Sequence, residues 1–502
     1  MDLLYQLGNG FLVALKPINF LYGFLGVLIG TLVGVLPGLG PVAAMSLLFP
    51  VTFKASPEAA IIMLSGIYYG AMYGGSTTSI LVNIPGEAAS VVTCLEGYQM
   101  ARRGRAGVAL GMSAFGSFIG GTFSLVGLVL LAPPLTKFAL QFGPAEYFSL
   151  MILGLAVLIY LAHGSMVKAL IMAAFGLVLG LVGLDVISGY PRLTFDRLEL
   201  MDGIGLVPVI MGLFGVSEVL VNMEHVIQRD IYDVRIKGLF PTLRDWAESK
   251  WALVRGSLIG FFFGILPGGG AIISSFLSYA VEKRFSRHPE RFGKGAIEGV
   301  VGPETANNAA TGGAFIPLLT LGIPSNVVMA MLLGAFMIHG ISPGPLLMKQ
   351  HPDLFWGVIA SMYIGNFVLL ILNLPLIGLW VQVLKVPYKI LFPSILLFCL
   401  IGAYSVSNSV FDVYMMILFG VFGYLMKKFE FEGAPLILAF VLSPLLENNL
   451  RKALILSQGD FSTFFTRPIS LVCLIIAAFI LLSPFIPSLR KKREEIALEE
   501  AS

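Results

Sequence analysis

Charge is scarce in this chain: Asp, Glu, Lys and Arg make up 12% of its 502 residues, against 57% hydrophobic residues. So little polarity cannot clothe a globular surface, and a mean hydropathy of +0.89 excludes a soluble or a disordered protein. The net charge of +3 is spread over short loops and points to no nucleic-acid partner. Only three cysteines occur, Cys94, Cys399 and Cys473. They lie in or near apolar segments without redox or metal spacing, which excludes a disulfide framework and reads as core filling. The five histidines are scattered, and no site with metal-ligand spacing is evident. A Walker-type Gly-Lys-Ser/Thr loop is missing, so nothing calls for ATP or another cofactor. The N-terminus lacks a basic n-region and a small-residue cleavage site; the sequence predicts no removable signal peptide and a mature chain starting near Met1.

What remains is a membrane protein. Apolar runs at 108–131, 147–161, 167–184, 357–384 and 469–486 approach or exceed the roughly 20 residues that cross a hydrocarbon core. About ten to twelve such segments fit, giving an all-α polytopic architecture. Within it lies an echo: Leu28–Gly40 reads LIGTLVGVLPGLG, and 230 positions later Leu258–Gly270 reads LIGFFFGILPGGG, identical at eight of thirteen positions. The chain therefore divides into repeat one (1–225), a cytoplasmic linker (226–250), repeat two (251–489) and a charged cytoplasmic tail (490–502).

Each copy carries a Pro-Gly break in apolar sequence, where proline removes a helical donor and each glycine costs about 1 kcal/mol against alanine. A re-entrant helical hairpin follows, with tips near 37–41 and 267–270. Arms of Ala252–Leu266 and Ala271–Val281 are expected for the second. Arg244, Lys250 and Arg255 precede it and Lys283, Arg284, Arg287, Arg291 and Lys294 follow, so both ends read as cytoplasmic. The first hairpin has nearly bare flanks, Lys16, Lys54 and Glu58, and reads as entering from the other face. Following the chain from there predicts inverted repeats, with Arg192 and Arg197 on the outside as exceptions to the positive-inside bias.

A second pair of breaks follows each hairpin, YYGAMYGGSTTSILVNIPGEAAS (Tyr68–Ser90) and PETANNAATGGAFIPLLTLGIPSN (Pro303–Asn326). Their Ile-Pro pairs, Ile84-Pro85 and Ile323-Pro324, lie 239 positions apart. Broken helices are expected near 74–86 and 311–325. Interrupted helices leave unpaired peptide groups that are costly in lipid unless protein, ion or substrate satisfies them, and a resuming helix offers donors to an anion. The candidate substrate residues are the tip glycines Gly38, Gly40, Gly268, Gly269 and Gly270, with Ser76, Thr77, Thr78 and Asn83 from repeat one and Asn307, Asn308, Thr311, Ser325 and Asn326 from repeat two. Paired broken segments of this kind mark transporter sites. A lone Gly-Gly or Ile-Pro is ordinarily a packing or kink feature; four correlated breaks with hydroxyls and amides favour a site. Glu304 is the candidate for ion coupling, possible sodium being placed near the breaks, with Glu87 behind it. The competing reading of either is a helix cap or an interfacial residue. His339 reads as a helix-packing residue.

These motifs resemble the large membrane subunit of the tripartite tricarboxylate transporters, the TctA family of bacteria. GTLVGVLPGLGPVAAMSLLFP, the Tyr68 motif running on to MARRGRAGVAL, GPETANNAATGGAFIPLLTLGIPSNVVMAMLLGAFMIHGISPGPLL, and the doubled glycines Gly30/Gly34/Gly38/Gly40 and Gly260/Gly264/Gly268/Gly270 carry the likeness over most of the chain. Ser325 departs from it, where relatives often carry glycine. The resemblance implies a secondary transporter of the bacterial inner membrane that imports citrate-like tricarboxylates or related carboxylates. Its drive would be a sodium or proton gradient, and its partners a small membrane subunit of about four helices and a periplasmic solute-binding protein. An elevator-type alternating access, with tips and broken helices moving as a block, and an oligomer fit the same picture.

Two other classes compete. An intramembrane enzyme needs a base beside a nucleophile such as Ser76 or Thr77, and the motifs hold no histidine, lysine or aspartate. A channel or scaffold subunit would not need duplicate hairpins closing from opposite faces.

Overall fold

The computed structural model describes residues 2–483 apart from 37, 39, 163, 164, 186, 225–237, 269, 385 and 387. Pro37 and Gly269 of the two expected tips, most of the basic linker and the whole charged tail lie outside the described residues. The protein is a polytopic α-helical membrane protein. Among the described residues seven helices are long and apolar enough to span a bilayer, from Pro17–Val35 to Gly433–Leu456, and six shorter apolar helices accompany them.

The helices Pro57–Val82 and Glu298–Gly313, which carry the polar motifs, are not among those seven. Both are buried almost throughout, from Ala59 to Val82 and from Gly299 to Gly313. Helices rich in hydroxyls, amides and glycine are poor partners for lipid, and here other helices surround them. Local chemistry sets their starts. Ser56 caps the first by accepting from Ala59 N at 3.3 Å, with Pro57 at the first helical position, where its missing N–H costs nothing.

The described residues fold into two compact units, each drawing on both halves of the sequence: those within 1–140 and 205–429, and those within 141–204 and 430–483. In the larger unit the duplication is visible as packing. Helix Pro17–Val35 lies along Pro57–Val82 so closely that a Cβ on Gly26, Gly30 or Gly34 would meet the carbonyl of Met63, Ile67 or Ala71 inside 3.0 Å. Helix Leu243–Ile265 lies along Glu298–Gly313 the same way, with Gly256, Gly260 and Gly264 against Gly302, Ala306 and Ala310. The glycines are 230 apart and their partners 239 apart, the two sequence offsets. The facing glycines repeat too: Gly74 meets the Thr31 carbonyl and Gly313 that of Phe261. In lipid, where apolar burial drives little helix association, such close backbone approach supplies the contact.

Each Pro-Gly break ends a helix. Pro17–Val35 is followed by Gly40–Thr52 and Leu243–Ile265 by Gly270–Phe285, with Gly38, Gly40, Gly268 and Gly270 at positive φ of 81°, 59°, 77° and 42°. The second hairpin starts earlier than the sequence predicts. A capping box between Thr242 and Asp245 (Thr242 N to Asp245 Oδ2, 2.8 Å) opens its first helix inside the stretch read as linker. Arg255 and Glu282 join its arms through two hydrogen bonds of 2.7 and 2.5 Å. A 34-residue helix, Ala106–Ala139, about 51 Å long, packs on both polar helices.

In the smaller unit, Gly176 and Gly180 of Met166–Leu179 and its end pack against Leu436, Phe440 and Ser443. A two-residue ladder pairs Gly183–Leu184 with Pro191–Arg192. Arg192 binds Glu447 at 2.7 Å and Arg451 binds Asp185 at 2.7 Å. The Arg451 guanidinium, helped by the Ser188 amide, holds the Asp185 carboxyl well below the usual carboxylate range.

Candidate functional site

The second-motif breaks fall later than the sequence reading places them. The Pro57–Val82 helix runs without interruption through Gly74-Gly75, and the chain turns at Asn83, in the left-handed region at φ 59°. In the second half Glu298–Gly313 continues through Ala314 into Phe315–Leu321, and the turn comes at Gly322, φ 73°. Asn83 and Gly322 are counterparts at the 239 offset. Stretches 74–82 and 311–321 are therefore helix, and the breaks proper are 83–87 and 322–326.

What resumes after each break is a capped helix. Glu87 accepts from Ala89 N at 2.5 Å and opens the short turn Ala88–Ser90 that leads into Val91–Arg102. Asn326, its counterpart, accepts from Met329 N at 2.9 Å and opens Val327–Ile338. The capping alternative for Glu87 is thus realised, and the residue is buried as well, at 7% exposure.

The caps reach across to the opposite half in a reciprocal pattern. Asn326 Nδ2 donates to the Tyr68 hydroxyl at 3.2 Å, and Asn307 Nδ2 donates to Glu87 Oε1 at 3.2 Å. Tyr68 and Asn307 are themselves counterparts at the 239 offset. Each half thus offers its cap to the same helical position of the other. Along the chain from 68 to 87 the partners run backwards from 326 to 307, so the two segments are antiparallel. Tyr68 also stacks near Phe315, with ring centroids 6.3 Å apart.

Around this contact lie most of the second-half candidates. Glu304 is 1% exposed and accepts a short hydrogen bond from Thr93. Asn308 donates to Ser117 Oγ at 2.8 Å, and Thr311 returns its hydroxyl to the Asn307 carbonyl at 3.0 Å. Ser325 is fully buried, its hydroxyl 3.4 Å from the Ala314 carbonyl, and its own carbonyl accepts from Gly268 N at 2.8 Å. That bond brings the second hairpin turn to the second break. Asn308 and Thr311 line a small cavity of about 20 Å³ with Tyr69, Ser124 and Asn366, room for a single water.

The first-half candidates are distributed differently. Ser76 bonds back to the Tyr73 carbonyl at 2.8 Å, Thr77 is buried, and Thr78 donates to the Val35 carbonyl at 2.5 Å, satisfying the end of the first hairpin arm. Asn83 is exposed. Gly38 sits by Glu218 and Asn222, 3.4 Å from each as measured from a Cβ placed on it. Gly40 begins its helix with open space around it. Gly269 lies outside the described residues. His339 caps a helix end half-buried, with Nε2 unpaired among the described residues, and so lacks at that atom the bond that a packing role predicts.

Sequence reasoning missed Tyr68, Thr93, Ser117 and Asn366. Tyr68 was findable, since the offset that pairs the Ile-Pro motifs also pairs it with Asn307. Asn366 had no such signal: it takes the Tyr73 hydroxyl at 2.6 Å and donates to Thr122 at 3.0 Å from a distant helix.

Buried polar helices thus meet at duplicated breaks inside a polytopic membrane bundle. Residues 20–438 match the model of the tripartite tricarboxylate transporter TctA family, and the chain belongs to that family. It is 52% identical over 500 residues to an Agrobacterium vitis protein described as an uncharacterized 52.8 kDa protein in the TAR-I ttuC' 3' region, with all of both chains covered. A second A. vitis protein, described as lying in the TAR-II ttuC' 3' region, is 53% identical over 248 residues, 48% of this chain and all of that one. No solved structure matches the chain.

Proposed function

We propose that this chain is the large membrane subunit of a bacterial inner-membrane system that imports citrate-like tricarboxylates or related carboxylates, driven by a sodium or proton gradient. It works with a small membrane subunit of about four helices and a periplasmic binding protein that delivers substrate. The reciprocal caps carry the reading. Two helix starts, each at a duplicated break, converge in the protein interior, and helix starts present donors and positive potential to a carboxylate. Reciprocal contacts between antiparallel segments are what a two-fold axis between repeats produces, which supports inverted repeats of ten to twelve membrane segments with re-entrant hairpins.

In this reading Asn307, Asn308, Thr311, Ser325 and Asn326 bind substrate beside the Gly268–Gly270 turn. Ser76, Thr77, Thr78, Asn83, Gly38 and Gly40 form the first-half wall, and Glu304 couples the ion. The hairpins and breaks move as one block against the rest in an elevator-type cycle. The linker and C-terminus lie in the cytoplasm. Arg192 is no obstacle to placing its loop outside, because Glu447 and Asp185 neutralise it.

The decisive experiment is uptake of labelled citrate and a panel of other carboxylates by cells expressing all three subunits, with sodium and proton gradients varied separately. Uptake that needs the binding protein and one gradient is expected. Equal uptake by this chain alone overturns the tripartite reading. Cysteines at Lys54 and Arg287, both exposed, should react from opposite sides of the membrane, and reaction from one side ends the inverted topology.

A further inference from the structure

The charged members of the cluster divide unequally between the halves. Positions 87 and 326 both cap a helix start, yet one is a carboxylate and the other a neutral amide. The second carboxylate, Glu304, belongs to the other half but bonds Thr93, on the helix that Glu87's own turn leads into. Glu304 stands one helical turn before Asn307, the partner of Glu87, and Cys94 follows Thr93, the donor to Glu304. Both carboxylates are buried, and neither has an ion-pair partner among the described residues. The other titratable groups that face them are Tyr68, Tyr73 and Cys94, all neutral in their ordinary forms.

Two acids in such a place cannot both stay charged without a counter-charge, since an effective desolvation penalty of several kcal/mol falls on each buried ion. The unpaired atoms point the same way. Among the described residues Glu304 Oε2 and Asn307 Oδ1 are buried without a hydrogen-bond partner, with the Ser113 hydroxyl beside Glu304, and the amide group of that same Asn307 is fixed on Glu87. Unsatisfied carboxylate and amide oxygens in a buried site are what a proton or a small cation satisfies.

We propose that Glu87 and Glu304, with the Asn307 amide oxygen moved from the substrate to the cation, hold the positive charge that couples transport, a proton or a sodium ion, while the neutral cap at Asn326 faces the substrate carboxylate. This rests on the carboxylate-transport reading above and divides its labour: the duplication supplies two equivalent caps, and one amino-acid difference assigns the cation to one and the anion to the other.

The cation test needs neither substrate nor partner subunits, so its failure is distinct from failure of the transport reading; only the Asn326 uptake arm below uses them. Thermal unfolding of the purified full chain is followed in NaCl against KCl at constant ionic strength, and in KCl from neutral to alkaline pH. If the site takes sodium, the midpoint rises by several degrees in NaCl; if it takes a proton, the midpoint falls as pH rises. Glu87→Gln and Glu304→Gln should each remove most of that response. Unchanged responses in both variants, or a wild-type chain indifferent to both ions, overturn the proposal. Should the glutamine variants fail to fold, Glu87→Asp and Glu304→Asp keep the charge one methylene away and must weaken the response; an unaltered response counts against the site equally. Asn326→Asp should keep the cation response and lower carboxylate uptake at least tenfold, and loss of the cation response there refutes the division between the caps.

Discussion

The two hairpins share a backbone scheme and differ in what holds them. In both, three glycines four residues apart press the first arm onto the following helix. The second hairpin has its arms joined by Arg255 and the buried Glu282, and its turn is hydrogen-bonded to Ser325. At the offset of 230 the first hairpin has Leu25 and Thr52 in place of that pair, and its turn sits beside Glu218, which pairs with Lys427. Duplication conserved the steric core of the unit, and the polar restraints diverged. A unit held by steric fit alone can shift against its surroundings without leaving a buried charge unpaired. The second hairpin cannot part its arms that way.

The largest effects should come from the restraints found on one side only. Glu96, fully buried, accepts from Gly293 N, Gly295 N at 2.7 Å, Ala296 N at 2.8 Å and the Tyr279 hydroxyl at 2.8 Å. It thereby ties the helix after the first break to the loop before Glu298, while its counterpart at the 239 offset is Ala335. Glu96→Ala strands several buried donors at about 1–3 kcal/mol each, so most folded protein should be lost, as read by size-exclusion yield. Arg255→Ala leaves Glu282 unpaired and should cost about 3 kcal/mol, the lower end for a buried pair because Arg255 is 30% exposed. Leu25→Ala, its partner in the comparison, should cost clearly less in the same thermal-unfolding assay. Equal losses would erase the contrast between the hairpins. Gly30→Val and Gly260→Val come next, each about 1–3 kcal/mol from overpacking, and here the two halves should agree. A tolerated Gly30→Val beside a ruinous Gly260→Val would show that the shared packing is not shared in energy.

Much of this was legible because steric repetition leaves a trace in sequence. The glycine triplets, the Pro-Gly turns and the Ile-Pro breaks are residues chosen for backbone reasons, and they recur at fixed offsets. The break positions were harder. The broken helix expected near 74–86 begins at Gly74-Gly75, but in the protein those glycines are the close-packing surface for Thr31 and Glu87, and tertiary contact outweighs the local propensity of about 1 kcal/mol per glycine. The polar cross-links were illegible for a different reason. Glu96 with Gly293, Tyr73 with Asn366 and Arg255 with Glu282 join positions whose spacing carries no period, and only the folded chain brings them together.

The smallest expected effect probes the two break points, Asn83 and Gly322, which share a left-handed backbone. Such a conformation costs a side-chain-bearing residue about 1–2 kcal/mol, less for asparagine, whose short amide bonds locally. Asn83 is exposed, so Asn83→Gly removes a small strain and loses no buried contact; thermal stability should change by no more than about 0.5 kcal/mol. The reverse exchange is not equivalent. A Cβ at Gly322 would stand 2.5 Å from the Pro343 carbonyl oxygen, so Gly322→Asn must push the 341–344 segment away and should cost about 1–3 kcal/mol. If both exchanges prove neutral, the second break is looser than its contacts imply. If both are costly, the Asn83 amide contributes to the fold more than an exposed turn residue should.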